Sequence, residues 1–125
     1  MIVKRFEDLE VYQLALALQR EIFQFTMSFP KEERYALTDQ IRRSSRSVGA
    51  NIAEAWHKRR YPAHFASKLT DADAECGESR HWLQTSLDCN YLSQEQFENL
   101  TEQCLVVGAK LGHMIQNADT WKPRG

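Results

Sequence analysis

The sequence predicts an all-α protein folded as an up-down-up-down antiparallel four-helix bundle. Three observations carry this. Apolar residues recur at steps of three and four along nearly the whole chain. The periodic stretches are separated by turns of only about two to four residues, which forces neighbouring helices antiparallel. Strand signals are missing: there is no sustained alternation, no Asn-Gly or Asp-Gly turn and no cluster of β-branched residues. Apolar residues make up 42% and charged residues 26% of 125 residues. That suits a single globular domain over residues 1–119, with 120–125 as a tail. The chain has no internal repeat and no low-complexity segment.

The first helix is apolar on two opposite faces. At about 100° per residue, Leu9, Tyr12, Leu16, Phe23 and Met27 form one stripe. Val11, Leu14, Leu18, Ile22 and Phe25 form the other, with Phe29 beyond them, half a turn away. Glu10, Gln13, Arg20, Glu21 and Gln24 lie between the two. One face packs within the subunit. The second needs cover as well, because apolar patches of that size are uncommon on soluble monomers. Val11, Leu14, Leu18, Ile22 and Phe25 are therefore the candidate oligomer interface.

Pro30 ends this helix, and the second is expected from about Glu32 to Arg59. Its core stripe is Leu37, Ile41, Ser44, Ser45, Val48, Ile52 and Ala55, and Ser44, Ser45, Gly49 and Ala53 let a neighbouring backbone come close. Pro62 opens the third helix, at a position where its missing N–H costs nothing. Phe65, Leu69, Ala72, Cys76, Leu83 and Leu87 share one face of it. It stops near Asn90, a residue that tolerates a left-handed cap. Ser93 with Gln96 reads as a capping box for the fourth helix, whose stripe is Phe97, Leu100, Cys104, Val107, Leu111 and Ile115. The tail from Thr120 is expected to be disordered or only locally docked.

Net charge is −1, so any attraction for nucleic acid or an anionic surface must come from a local patch. No run approaches the roughly 20 apolar residues of a membrane span, and the first residues do not read as a signal peptide. Cys76, Cys89 and Cys104 are odd in number and none forms a Cys-x-x-Cys pair. A reducing cytoplasmic location is expected, with the thiols acting as small apolar side chains.

The second helix carries a basic flank of Arg42, Arg43 and Arg46, then His57, Lys58, Arg59 and Arg60. The third carries Asp71, Glu75 and Glu78 beside Trp82. In a hairpin turning near Tyr61, Glu78 should face Arg43 or Arg42, Glu75 should face Arg46, and Glu54 should pair with Lys68. Asn51, Glu54, Glu75 and Glu78 are accordingly read as structural polar residues. Arg42, Arg43, Arg46, Lys58, Arg59 and Arg60 are candidate phosphate contacts for RNA or DNA, without base reading.

Glu54-Ala55-Trp56-His57 and Glu78-Ser79-Arg80-His81 are both Glu-x-x-His, the unit that di-iron bundles place on two helices. In the hairpin register they lie about 15 Å apart along the axis, too far for one metal pair. No metal or other cofactor is expected. Gly-rich phosphate loops and a Gly-x-Ser-x-Gly elbow are absent, and His64 and His113 have no evident nucleophile partner. No catalytic residues are assigned, and the chain reads as a non-enzyme.

Several segments together resemble a known family. They are Phe6-Glu7-Asp8-Leu9-Glu10-Val11-Tyr12-Gln13, Phe29-Pro30 with Glu33 and Tyr35-Ala36-Leu37, Gln40-Ile41-Arg42-Arg43-Ser44-Ser45-Arg46-Ser47-Val48, Asn51-Ile52-Ala53-Glu54-Ala55, Glu78, and Asn90-Tyr91-Leu92. In order and spacing they are similar to the four-helix-bundle proteins encoded in intervening sequences of bacterial 23S ribosomal RNA genes. The resemblance implies an up-down bundle assembled into a homopentameric ring. It also extends to the accessory protein of diversity-generating retroelements, which has a basic surface and works with nucleic acid. The expected function is that of a non-catalytic homo-oligomer binding RNA or DNA. The alternative is a protein–protein scaffold that presents Trp56, Trp82 and the acidic flank to a partner.

Overall fold

A computed structural model describes residues 2–124. Its four helices are α1 (Glu10–Thr26), α2 (Leu37–His57), α3 (Pro62–Asp88) and α4 (Gln94–Gln116). Short 3-10 turns at Phe6–Asp8, Lys31–Glu33 and Ala118–Trp121 precede α1, precede α2 and follow α4. The described residues contain no strand.

Paired side chains give the relative directions. Along α2 and α3, Arg43 meets Glu78 while Glu54 meets Lys68, so the partner number falls as α2 advances. Along α1 and α4, Glu10 pairs with Lys110 while Glu21 accepts from Gln103. Both packings are therefore antiparallel. The core runs the length of the bundle through Leu18, Ile22, Ile41, Val48, Ile52, Phe65, Leu69, Leu83, Leu100 and Leu111, all at most 1% exposed. Burying each contributes roughly 1.5–3 kcal/mol before conformational entropy is set against it.

Where α2 crosses α3 the contact is narrow and polar. The Ser44 and Ser79 hydroxyls lie 2.9 Å apart, both fully buried, and Ser79 donates on to the Glu75 carbonyl at 3.0 Å. That leaves neither hydroxyl unsatisfied.

Two turns explain the element boundaries. Asn90 has φ 62°, and the Tyr91 N–H bonds the Ser86 carbonyl while the Asn90 N–H bonds that of Leu87. This is a complete Schellman closure of α3. Ser93 and Gln96 form the reciprocal capping box that opens α4. The second helix begins later than the sequence reading expects. Residues 31–36 form a 3-10 turn and a bend, and Ala36 sits at φ −125°, ψ −106°. The Glu33 carboxylate accepts from the Leu37 N–H at 3.4 Å and the Tyr91 hydroxyl at 2.9 Å. A tertiary anchor on the α3–α4 turn thus holds residues 31–36 out of the helix.

The face assigned to an oligomer interface is corrected. Val11, Leu18 and Ile22 are at most 3% exposed within one chain, and Leu14 and Phe25 are half-buried against the same core. Periodicity reveals two apolar faces, but it does not say which neighbour covers each. The flanking helices cover Val11, Leu18 and Ile22 and leave Leu14 and Phe25, at the edge of that face, partly exposed. The large apolar side chains left exposed on the helices are Leu105 (46%) and Val106 (38%) of α4. The tail is docked as far as Trp121, whose ring centroid lies 6.3 Å from that of Phe65.

Candidate nucleic-acid interface

α2 sets the arginines at two angles. Residues 42 and 46 are one turn apart and lean toward α1, whereas 43 is rotated about 100° toward α3. The Arg42 Nε donates to Thr26 Oγ1 at 2.8 Å, and its guanidinium lies 4.6 Å from the centre of the Phe23 ring. Arg46 lies over the same ring at 5.6 Å. One aromatic face thus orients two cations. Both line an open groove of about 480 Å³ with Arg34, Arg43, Thr38, Asp39 and Ser47. Among the described residues, no carboxylate lies within ion-pair distance of Arg34, Arg42 or Arg46.

Arg43 differs. Its Nη1 bonds Glu75 Oε2 at 2.9 Å and its Nη2 bonds Glu78 Oε2. Glu78 also accepts from the Trp82 indole N–H at 3.0 Å. The expected pairing of Glu75 with Arg46 is therefore corrected. Glu75 and Glu78 sit three residues apart on one face of α3, and the fork of Arg43 spans both, while Arg46 points away toward Phe23. The indole N–H and Arg43 hold the Glu78 carboxyl below its ordinary pKa, and Glu78 and Glu75 raise that of Arg43.

Lys58, Arg59 and Arg60 stand apart from this group. Twelve residues of helix separate Arg46 from Lys58, about 18 Å. Arg59 stacks on Trp56 at 3.8 Å and donates to the Trp56 carbonyl at 2.9 Å. Trp56 itself is only 6% exposed, so it is not the presented surface that a scaffold reading requires. Lys58 and Arg60 are exposed beside Tyr61 and His64. The six expected cations thus form two groups rather than one stripe. Arg34 is not among the expected cations: the turn that replaces the expected first residues of α2 sets it in this groove.

Asn51 is half-buried and donates to the Ser47 carbonyl at 2.9 Å. Glu54 pairs with Lys68 at 3.0 Å and raises the Lys68 pKa. The two Glu-x-x-His motifs are committed to different partners, Glu54 to Lys68 and Glu78 to Arg43 and Trp82. Among the described residues, no three His, Cys, Asp or Glu side chains gather as metal ligands. No described helix is long and apolar enough to cross a membrane.

The comparisons with known proteins agree with this architecture. A family model described as "23S rRNA-intervening sequence protein" matches residues 7–113. A crystal structure of a protein of unknown function, from the S23 ribosomal protein family of Bacteroides thetaiotaomicron VPI-5482, superposes with a TM-score of 0.77 at 28% sequence identity. The match covers 85% of this chain and 95% of that one. No curated protein matches the sequence.

Proposed function

This chain belongs to the 23S rRNA-intervening sequence protein family, and from the arginine groove of α2 we propose that it is a non-catalytic cytoplasmic protein that binds RNA or DNA by its phosphates. One observation carries the reading: Arg34, Arg42 and Arg46 share a groove and none has a carboxylate partner. Guanidiniums laid on an aromatic ring lose little further freedom on meeting a phosphate, so their binding cost is low. With no base-reading element, the contacts are to the backbone and independent of sequence.

We further propose that the protein works as a homo-oligomer, the homopentameric ring that the family resemblance implies. The covered surface would be the outside of α4 around Leu105 and Val106, in place of the α1 residues that the core consumes. Repeating the groove around an axis multiplies its charge.

A second reading, a protein–protein scaffold without nucleic-acid binding, is favoured by the double pairing of Arg43, which removes one cation from the groove. Light scattering after size exclusion, with a short RNA added at low and high salt, separates the two. RNA gained only at low salt, and lost in the Arg42→Glu/Arg46→Glu variant while the assembly persists, supports the groove. Failure to gain RNA at any salt refutes it and leaves the scaffold.

A further inference from the structure

Beside the arginine groove lies a second depression of about 370 Å³, between the end of α1 and the start of α2. Lys31, Arg34, Arg42, Thr38, Met27 and Phe29 line it, and no carboxylate does. Its size falls within the range of small-molecule sites, roughly 300–1,000 Å³. The Arg42 guanidinium is held in place by its Nε bond to Thr26 at 2.8 Å. The nearby Glu33 carboxylate is engaged by the Leu37 N–H and the Tyr91 hydroxyl. Asp39 lines the neighbouring groove and not this one.

The distinguishing feature is Thr38. It is 7% exposed, and its hydroxyl is buried without a hydrogen-bond partner. A buried hydroxyl left unpaired is costly, and in a native fold it calls for a partner. Thr38 lies in the first turn of α2, where the Glu33 carboxylate takes the Leu37 N–H in place of a side-chain cap at Ala36. Three cations line the site, and the unpaired Thr38 hydroxyl, buried behind that lining, meets an oxyanion there by turning about χ1. Both favour an oxyanion.

We propose that this pocket takes the terminal phosphate monoester of a nucleotide, an inference that rests on the nucleic-acid reading above. A monoester carries about −1.5 to −2 charge at neutral pH. An internal phosphodiester carries a single negative charge. Three cations with no carboxylate among them match the monoester. Met27 and Phe29 supply an apolar wall on which a terminal sugar and base can rest. The same chemistry belongs to the phosphorylated end of a strand and to a free mononucleotide, so both are probes.

The test measures fluorescence anisotropy of a short single-stranded RNA with a 5′-phosphate, the same RNA with a 5′-hydroxyl, and competition by AMP, on the full chain and on Thr38→Val and Arg34→Ala. The 5′-phosphate should strengthen binding about tenfold, AMP should compete, and both variants should erase the difference. Thr38→Val should at the same time raise the melting temperature, because it removes an unsatisfied hydroxyl. A merely structural hydroxyl would not lower phosphate affinity while raising stability. Equal binding of the two RNAs with no competition by AMP overturns the pocket and leaves the groove reading standing. AMP binding without RNA binding upholds the pocket and sinks the groove reading. No binding of either refutes both.

Discussion

On the proposed phosphate-binding reading, Glu75 and Glu78 withhold Arg43 from the groove, so removing them should strengthen nucleic-acid binding while weakening the fold. The perturbation is Glu75→Gln/Glu78→Gln, which keeps the side-chain shape and leaves neutral acceptors for Arg43 and Trp82. The side chains of Arg43, Glu75 and Glu78 are 46%, 21% and 34% exposed. Charge-assisted bonds contribute about 1.5–3 kcal/mol each when buried, but exposed pairs are screened to about 0.2–1 kcal/mol. Two partly exposed pairs therefore amount to about 1–2 kcal/mol. For a chain of this length that is a fall of several degrees in melting temperature. The binding arm follows from counterion release. Freeing one cation to meet single-stranded nucleic acid steepens the slope of log K against log salt by about 0.7. Over a tenfold rise in salt, the double variant should lose about fivefold more affinity than the parent, from a tighter starting point. Anisotropy titrations across a salt series, paired with thermal melts, read both quantities. As a control, Arg43→Ala should leave the slope where it is, because Arg43 is already neutralised. A double variant that melts lower but keeps the parent slope refutes the claim that Arg43 is a withheld phosphate contact. One that melts unchanged refutes the stability assigned to the ion pairs.

Further outcomes follow from other parts of the fold. The Glu78 pKa is depressed in the fold by the Trp82 indole and Arg43, so its contribution is present above the unfolded value of about 4.3 and is lost as pH falls through the folded value. Stability measured from pH 6 down to 3 should drop, and Glu78→Gln should flatten that drop. Asn90→Gly should be neutral or slightly stabilising, and Asn90→Val should cost about 1–2 kcal/mol, because φ 62° suits glycine and strains a β-branched residue. Denaturant titration checks both. Cys89 is exposed whereas Cys76 and Cys104 are buried, and contact with Cys76 together with burial pushes the Cys104 thiol up. A thiol-reactive dye should therefore label one cysteine quickly in the native protein and the other two only on unfolding. Phe65→Ala should cost about 3–5 kcal/mol and undock Trp121, seen as a red shift of tryptophan emission.

The four helices, the caps at Asn90 and Ser93 and the pairing of α2 with α3 were legible in the sequence because each rests on local physics. A helix announces itself by a 3.6-residue period, Asn90 and Ser93 by the backbone geometry they tolerate or bond, and the Arg43–Glu78 contact by the short turn at Tyr61. What periodicity cannot report is which neighbour covers a face. The stripe of Val11, Leu18 and Ile22 has the same pattern whether another subunit or another helix of the same chain buries it, and only the packing of four helices together turned it inward. The site behaves likewise. Six cations along one helix read as a stripe, but Phe23, Thr26, Trp56 and the two glutamates of α3 come from other segments and divide those cations into free, stacked and neutralised groups. Arg34 and the unpaired Thr38 hydroxyl were hidden for the same reason. Their positions depend on the bend at Ala36, which Glu33 and Tyr91 hold through contacts between residues 58 positions apart. The sequence by itself determined the helices, because hydrogen bonds and side-chain spacing within a few residues suffice to make them. Only the tertiary structure decided which charges are left to act, because a charge is neutralised by whatever the fold brings within a few ångströms of it.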